Sequence, residues 1–197
     1  MAVFWKLVHL GINLPNTFCF KMIRNLYHTQ EKRTELLTAP CKCTREDAWL
    51  GEGYYFWEDY KDAIEWGRNS KMDTGGFQIY YSEIDCTNIL DTVFNTEHYY
   101  FWMNAIEEKS KRFFKLTGRR MTIKELNNYF RDENTFAGVD GILFADCPNN
   151  KKTSLVRVVE KDGKSFAFPY RKRIQLVVFN PRNVITFKLD SSETRKF

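Results

Sequence analysis

The stretch Ile174-Gln-Leu-Val-Val-Phe-Asn-Pro181 decides how this chain is read. Its segment Ile174–Phe179 is rich in β-branched and aromatic residues and reads as a strand. Four more such segments surround it in the last third of the chain: Val139–Ala145, Ser154–Glu160, Ser165–Phe168 and Val184–Phe187. Further back, Gln78–Ile84 reads as a strand after the turn Asp73-Thr-Gly-Gly76, Tyr54–Trp57 as a short strand, and Asn25–His28 as a strand end. Helical spacing interrupts this pattern twice. Glu58-Asp59 start a helix to about Arg68, with Tyr60, Ala63, Ile64 and Gly67 on its inner face. A longer helical region, about 97–116, places Trp102, Ile106, Phe113 and Leu116 on one side, and the capping box Thr122-Ile-Lys-Glu125 starts another helix to about Phe130. Strands that flank a helical insert, about 97–130, predict an α+β fold. Residues 29–50 read as a polar loop with one helical turn at most, and the polar tail after Leu189 is expected to fray.

The 197 residues suit a single domain, 1–197, with a core at about 24–189. That length buries enough apolar surface to fold without disulfides. Five cysteines, an odd number without a Cys-x-x-Cys pair, fit a reducing compartment. No apolar run approaches the roughly 18 residues needed to cross a bilayer. Lys6 and His9 interrupt the apolar start, so neither a signal peptide nor a membrane partner is expected, and the expected location is cytoplasmic.

The net charge of +5 is concentrated. Between Lys109 and Lys124 stand seven basic residues (Lys109, Lys111, Arg112, Lys115, Arg119, Arg120 and Lys124) and no acidic one. Arg171-Lys172-Arg173 follow Pro169-Tyr170. Phe113, Phe114 and Tyr170 lie among these charges, a mixture that suits a nucleic acid because cations neutralise phosphates and rings stack on unpaired bases. A solvated helix face and a loop are the plainer reading of the same residues.

The phosphate-binding Gly-x-x-x-x-Gly-Lys-Ser/Thr, Gly-x-Gly-x-x-Gly and His-Glu-x-x-His patterns are absent. Cys41-x-Cys43, with Cys86, Cys147 and His98, matches structural zinc spacings poorly, so no metal is expected.

Three segments taken in order say more. They are Leu26-Tyr-His-Thr-Gln30; Gly51-Glu-Gly-Tyr-Tyr-Phe-Trp57 followed by Ala63 and Trp66; and Val139-Asp-Gly-Ile-Leu143 leading to Ile174–Pro181. Their order and spacing resemble the ADP-ribosyltransferase superfamily, in the branch with a His, Tyr and Glu signature. That branch includes diphtheria-type toxins, poly(ADP-ribose) polymerases and many bacterial and phage toxins. Glu83-Ile-Asp-Cys-Thr-Asn-Ile-Leu-Asp91 is similar to the region between the second and third motifs of the toxin branch.

The resemblance implies a split β-sheet core that binds NAD⁺ as a substrate. His28 takes the position of the histidine that hydrogen-bonds a ribose hydroxyl, and Tyr55 that of the tyrosine that stacks on nicotinamide. Trp66 closes the other side, and Thr29, Gly53 and Tyr54 complete the cofactor-binding set. Gly51 and Gly53 allow close backbone approach. A carboxylate stabilises the positive charge that develops on the ribose as nicotinamide leaves.

Two positions depart from the family pattern. Thr29 replaces a glycine, and Gln175 stands where the catalytic glutamate belongs. An amide can hydrogen-bond a ribose hydroxyl but supplies neither negative charge nor a general base. Three explanations are open: a natural glutamine, a glutamate elsewhere such as Glu160 or Glu83, or an inactivating substitution. The resemblance implies a toxin that moves ADP-ribose onto an intracellular macromolecule, with an antitoxin partner; the basic residues of 109–124 and 171–173 point to a nucleic acid as that macromolecule, mRNA or a single strand ahead of protein. Two other readings are a silent module of the same fold that binds RNA or a protein, and, ranked last, a tRNA 2′-phosphotransferase.

Overall fold

A computed structural model describes residues 22–46, 48–133, 135–146, 155–159, 165–169 and 173–194. Its strands are β1 (Ile23–Glu31), β2 (Tyr54–Trp57), β3 (Gly76–Asp85), β4 (Ile89–Asp91), β5 (Gly141–Asp146), β6 (Leu155–Val159), β7 (Ser165–Pro169), β8 (Arg173–Val178) and β9 (Val184–Thr194). Its helices are α1 (Tyr60–Ser70), α2 (Thr96–Thr117) and α3 (Ile123–Asp132). Seven strands form one mixed sheet in the order β4-β5-β8-β2-β1-β3-β9, and β6 pairs with β7 apart from it. This is an α+β fold, as expected from the sequence.

β1 pairs with β3 along its whole length, from Ile23 opposite Asp85 to Glu31 opposite Phe77. Its pairing with β2 is far thinner: among the described residues, Tyr27 opposite Trp57 is the one registered pair. Hydrogen bonding therefore runs through all seven strands, but the sheet is weakest at this seam. Beyond it the two strands part.

Side chains alternate across a strand, so the registers fix which residues share a face. Tyr55 lies opposite Val177, and Trp57 opposite Gln175. Gln175 is in turn opposite Phe144. Tyr27, across from Trp57, belongs to the same face. All three helices pack on this face. α1 covers β1, β2 and β3, where Trp57, Ala63, Phe77 and Ile79 form a buried cluster. α2 and α3 cover the other end, where Leu90, Trp102, Leu126, Phe130, Ile142 and Val177 are buried together. The opposite face carries a third cluster that includes Leu26, Phe56, Ile84, Leu143 and Leu176. The helices thus stand at two ends of one sheet face and leave the strands between them uncovered.

Local signals place the helix ends. The Asp59 carboxylate accepts from the Lys61 N–H at 2.7 Å and starts α1. At the start of α3, Thr122 and Glu125 make the reciprocal capping box that the sequence predicts. Two expectations fail. The tail does not fray at Leu189; β9 continues to Thr194, paired with Gly76. Cross-strand side chains hold it there: Tyr60 donates to Ser191 Oγ at 2.8 Å, and Arg68 forks onto Glu193. The long helix also does not bury one side. Trp102 is buried, whereas Leu116 is 85% exposed, because α2 outruns the sheet edge on which its first half rests.

Candidate functional site

The uncovered strands form the floor of a cleft of about 1030 Å³ between α1 and the start of α3. His28, Thr29, Tyr55, Trp66 and Gln175, five of the residues singled out from the sequence, line it together. Arg173 lines it as well.

His28 sits at the parting of β1 and β2. Its Nδ1 lies 2.8 Å from the Tyr55 carbonyl oxygen, which can only accept, so Nδ1 carries the proton. The side chain thus takes the place of the backbone pairing that ends at Tyr27. Burial lowers the His28 pKa from 6.5 to about 4; the Tyr55 carbonyl opposes the shift, and Lys71 reinforces it. His28 is therefore neutral near pH 7, and its Nε2 is a bare acceptor, buried and without a hydrogen-bond partner.

Tyr55 is held at both ends. Its backbone belongs to β2, and its hydroxyl donates to the Gly51 carbonyl at 2.6 Å. Gly51 has φ of 101°, and a Cβ there would meet Asn128 Oδ1 at 2.7 Å. At Gly53 a Cβ would lie 2.5 Å from Val177 Cγ2 and 2.7 Å from the Val178 oxygen, so the chain passes β8 too closely for any side chain. Gly53 thereby serves the backbone, paired with Cys43, and does not line the cleft. Tyr54 also stays outside, packed on the opposite face.

Thr29 donates through Oγ1 to the Ala63 carbonyl at 2.9 Å, which ties β1 to α1. Trp66 on α1 lies 5.9 Å from Trp57, ring centre to ring centre. Arg173 stacks over Trp57 at 4.7 Å and lies 3.9–4.0 Å from Asp62 and Glu65. Gln175 is only 7% exposed, with its amide in the cleft wall.

Glu31 and Glu65 are the carboxylates lining the cleft among the described residues. Burial pushes the Glu31 carboxyl up, but the hydrogen bond from Lys71, a backbone hydrogen bond and the charges of Lys71 and Arg33 together outweigh it and leave the pKa below the usual value. Glu83, considered from the sequence as a substitute for the missing glutamate, lies on β3 outside the cleft, and Glu160 falls outside the described residues. Glu65 was legible in principle, since it precedes Trp66 on a helix and Asn69 follows one turn later, all three in the cleft wall. Lys71 closes α1 and is only 9% exposed, and no sequence pattern marks it.

The basic residues of the helical insert are not brought to the cleft. Lys111 pairs with Glu107 and Arg112 with Glu108, one turn apart on α2. Arg119 pairs with Glu125 and lies over Phe113. Lys109 sits 3.5 Å above the Tyr129 ring. Lys115 and Arg120 are exposed. Arg171 and Lys172 lie outside the described residues.

Cys41 and Cys43 line the cleft as free thiols, whereas Cys86 is buried in the core. Among the described residues no cluster of three or more His, Cys, Asp or Glu side chains is placed to hold a metal ion. Nor is any described helix long and apolar enough to cross a membrane. No family model, curated protein or solved structure matches this chain.

The donor set suits the dinucleotide implied by the resemblance. A hydroxyl-rich ligand offers the proton that His28 Nε2 lacks, and the aromatic walls suit a flat ring.

Proposed function

We propose that this chain is a mono-ADP-ribosyltransferase that uses NAD⁺ and modifies an intracellular macromolecule, a nucleic acid ahead of a protein. The proposed setting is the cytoplasm, in a toxin–antitoxin or anti-phage system with a dedicated antitoxin. One observation carries the reading: His28, Thr29, Tyr55, Trp66 and Gln175, distant in sequence, line a single cleft.

In that reading His28 Nε2 accepts from a ribose hydroxyl, and the fixed Nδ1–H keeps it in the accepting tautomer. Tyr55, tethered at Gly51, supplies a rigid ring against nicotinamide, with Trp66 on the α1 side. The Gln175 amide orients a hydroxyl but leaves the developing positive charge to a carboxylate. Glu65 and Glu31 are the groups available for it in the cleft. The bond between ribose C1′ and the nicotinamide nitrogen breaks, and nicotinamide leaves with the electron pair. The acceptor atom bonds to C1′ and releases its proton.

Gln175 itself supports a second reading, a silent module of the same fold that binds RNA or a partner protein. The test is nicotinamide release from NAD⁺ by the chain and by its Gln175→Glu variant, with total RNA, DNA and lysate protein as acceptors. Release by either form, with label on one acceptor class, supports the transferase. Silence in both, with no NAD⁺ binding by calorimetry, leaves the module.

A further inference from the structure

The segment 32–53 joins β1 to β2 without a helix or strand of its own among the described residues. Irregular connections beyond roughly 12–15 residues are uncommon in compact domains and are usually functional. This one is fastened along its course. Arg33 exchanges two backbone hydrogen bonds with the Gln78 amide, and the Leu37 N–H donates to Tyr80 Oη at 3.1 Å. Cys43 and Gly53 exchange backbone bonds, and Lys124 Nζ at the start of α3 donates to the Arg45 carbonyl at 2.8 Å. So fixed, the segment forms one lip of the cleft and presents Arg33, Lys42, Arg45 and Trp49 to it.

The charge of the cleft comes mainly from this lip. Among the described residues five cations line it, Arg33, Lys42, Arg45, Lys71 and Arg173, against the carboxylates Glu31 and Glu65. Lys71 and Arg173 stand beside those carboxylates, deep in the wall, and the Arg33 charge also acts on Glu31; Arg33, Lys42 and Arg45 are exposed on the lip. Lys42 also reaches Glu52 at 3.0 Å, but an exposed pair of this kind holds its charges weakly. Trp49 is half-buried beside them, edge-on to Phe144 at 4.7 Å. Cations that track a backbone beside a partly open ring are the elements of a single-strand binding groove. The cleft, at about 1030 Å³, is at the top of the roughly 300–1,000 Å³ range of small-molecule sites. An unpaired nucleotide can turn its base onto an aromatic ring, which a base stacked and paired in a duplex cannot.

We infer that the acceptor is a single-stranded nucleic acid, gripped by Arg33, Lys42 and Arg45 with a base against Trp49, and that the basic face of α2 does not hold it. This deepens the transferase reading and rests on it for the word acceptor; the binding itself is measured without NAD⁺. The probes are a fluorescein-labelled single-stranded RNA of mixed sequence, the DNA of the same sequence, and each as a duplex. Anisotropy titrations compare the chain with a lip variant, Arg33→Ala/Lys42→Ala/Arg45→Ala, and a helix variant, Lys111→Ala/Arg112→Ala/Lys115→Ala. At ~0.1 M salt, loss of three phosphate contacts weakens single-strand binding by about a hundredfold and makes the salt slope shallower by about 2. The expected result is that loss in the lip variant, near-unchanged binding in the helix variant, and weak binding of both duplexes. The RNA and DNA arms say which strand is preferred. No binding of either single strand, or a loss confined to the helix variant, overturns the inference. Strand binding through the lip by a chain that binds no NAD⁺ in calorimetry refutes the transferase alone.

Discussion

Replacing His28 with glutamine removes a titrating group from the seam of the sheet, and the effect should be read in the pH dependence of stability. The folded protein holds this imidazole neutral, its pKa lowered by burial from 6.5 to about 4. The unfolded chain takes up a proton near 6.5, so between the two values the unfolded state binds more protons. Stability is full above pH 6.5, falls as the pH drops, and stops falling on this account below about pH 4. At 1.36 kcal/mol per tenfold, the loss reaches about 2 kcal/mol at pH 5 and about 3 kcal/mol at pH 4. The assay is urea unfolding of the protein and of His28→Gln from pH 7.5 to pH 4, each normalised to its own value at pH 7.5. His9 and His98 are common to both and cancel in the difference. The variant should lack this part of the acid loss. Parallel curves, within about 0.5 kcal/mol at pH 4, would show that His28 is neither buried nor held as the neutral tautomer, and the argument for a bare Nε2 would fall with it.

Two further outcomes test the packing around the cleft. Gly67→Ala would put a Cβ 2.4 Å from Phe77 Cδ2 in a fully buried cluster. Overpacking of about 1–3 kcal/mol should outweigh the roughly 1 kcal/mol that alanine gains over glycine in a helix, so Tm should fall; a rise would refute the contact. Trp102→Phe removes the indole N–H that donates to Asn127 Oδ1 at 2.9 Å, and the Asn127 amide nitrogen already lacks a partner. Urea unfolding should show a cost of about 1–3 kcal/mol, partly recovered in Trp102→Phe/Asn127→Leu.

The sequence made some of this architecture legible and hid the rest for physical reasons. The capping box at Thr122 and the alternating or apolar runs of β3 and β8 are local signals, and the elements formed where those signals lie. The inner face expected for α1 is right for Ala63 and Gly67, which are buried. β1 is longer than Asn25–His28 because its ends, Ile23 and Glu31, are set by pairing with β3, a partner remote in the chain. The end of β9 is hidden for the same reason: its polar residues look like a tail until Arg68 and Tyr60 are placed beside them. In the site, the residues of the three motifs were marked by their order. The lip 32–53 was not, because its charges have no period and act only where the fold sets them beside β2 and α3. The basic run at 109–124 is conspicuous in sequence, but the fold sets it on α2 and the start of α3, away from the cleft.

The two strands that form the cleft floor, β2 and β8, are paired with each other although most of the chain lies between them. β3 likewise waits for β9. Contacts of such long range slow folding, because the loop entropy is spent before any contact repays it. A ribosome adds only about 5–20 residues per second. During synthesis β1, β2 and β3 therefore emerge well before the strands that flank them, and Tyr55 and Trp57 stay unpaired on one side until β8 follows. The nascent chain is a protein without a catalytic or binding cleft. Whatever this cleft does, it does only after the last third of the molecule has been made, and a chain cut short before β8 carries His28, Thr29, Tyr55 and Trp66 but neither the stretch Ile174–Pro181 nor the geometry that gathers them.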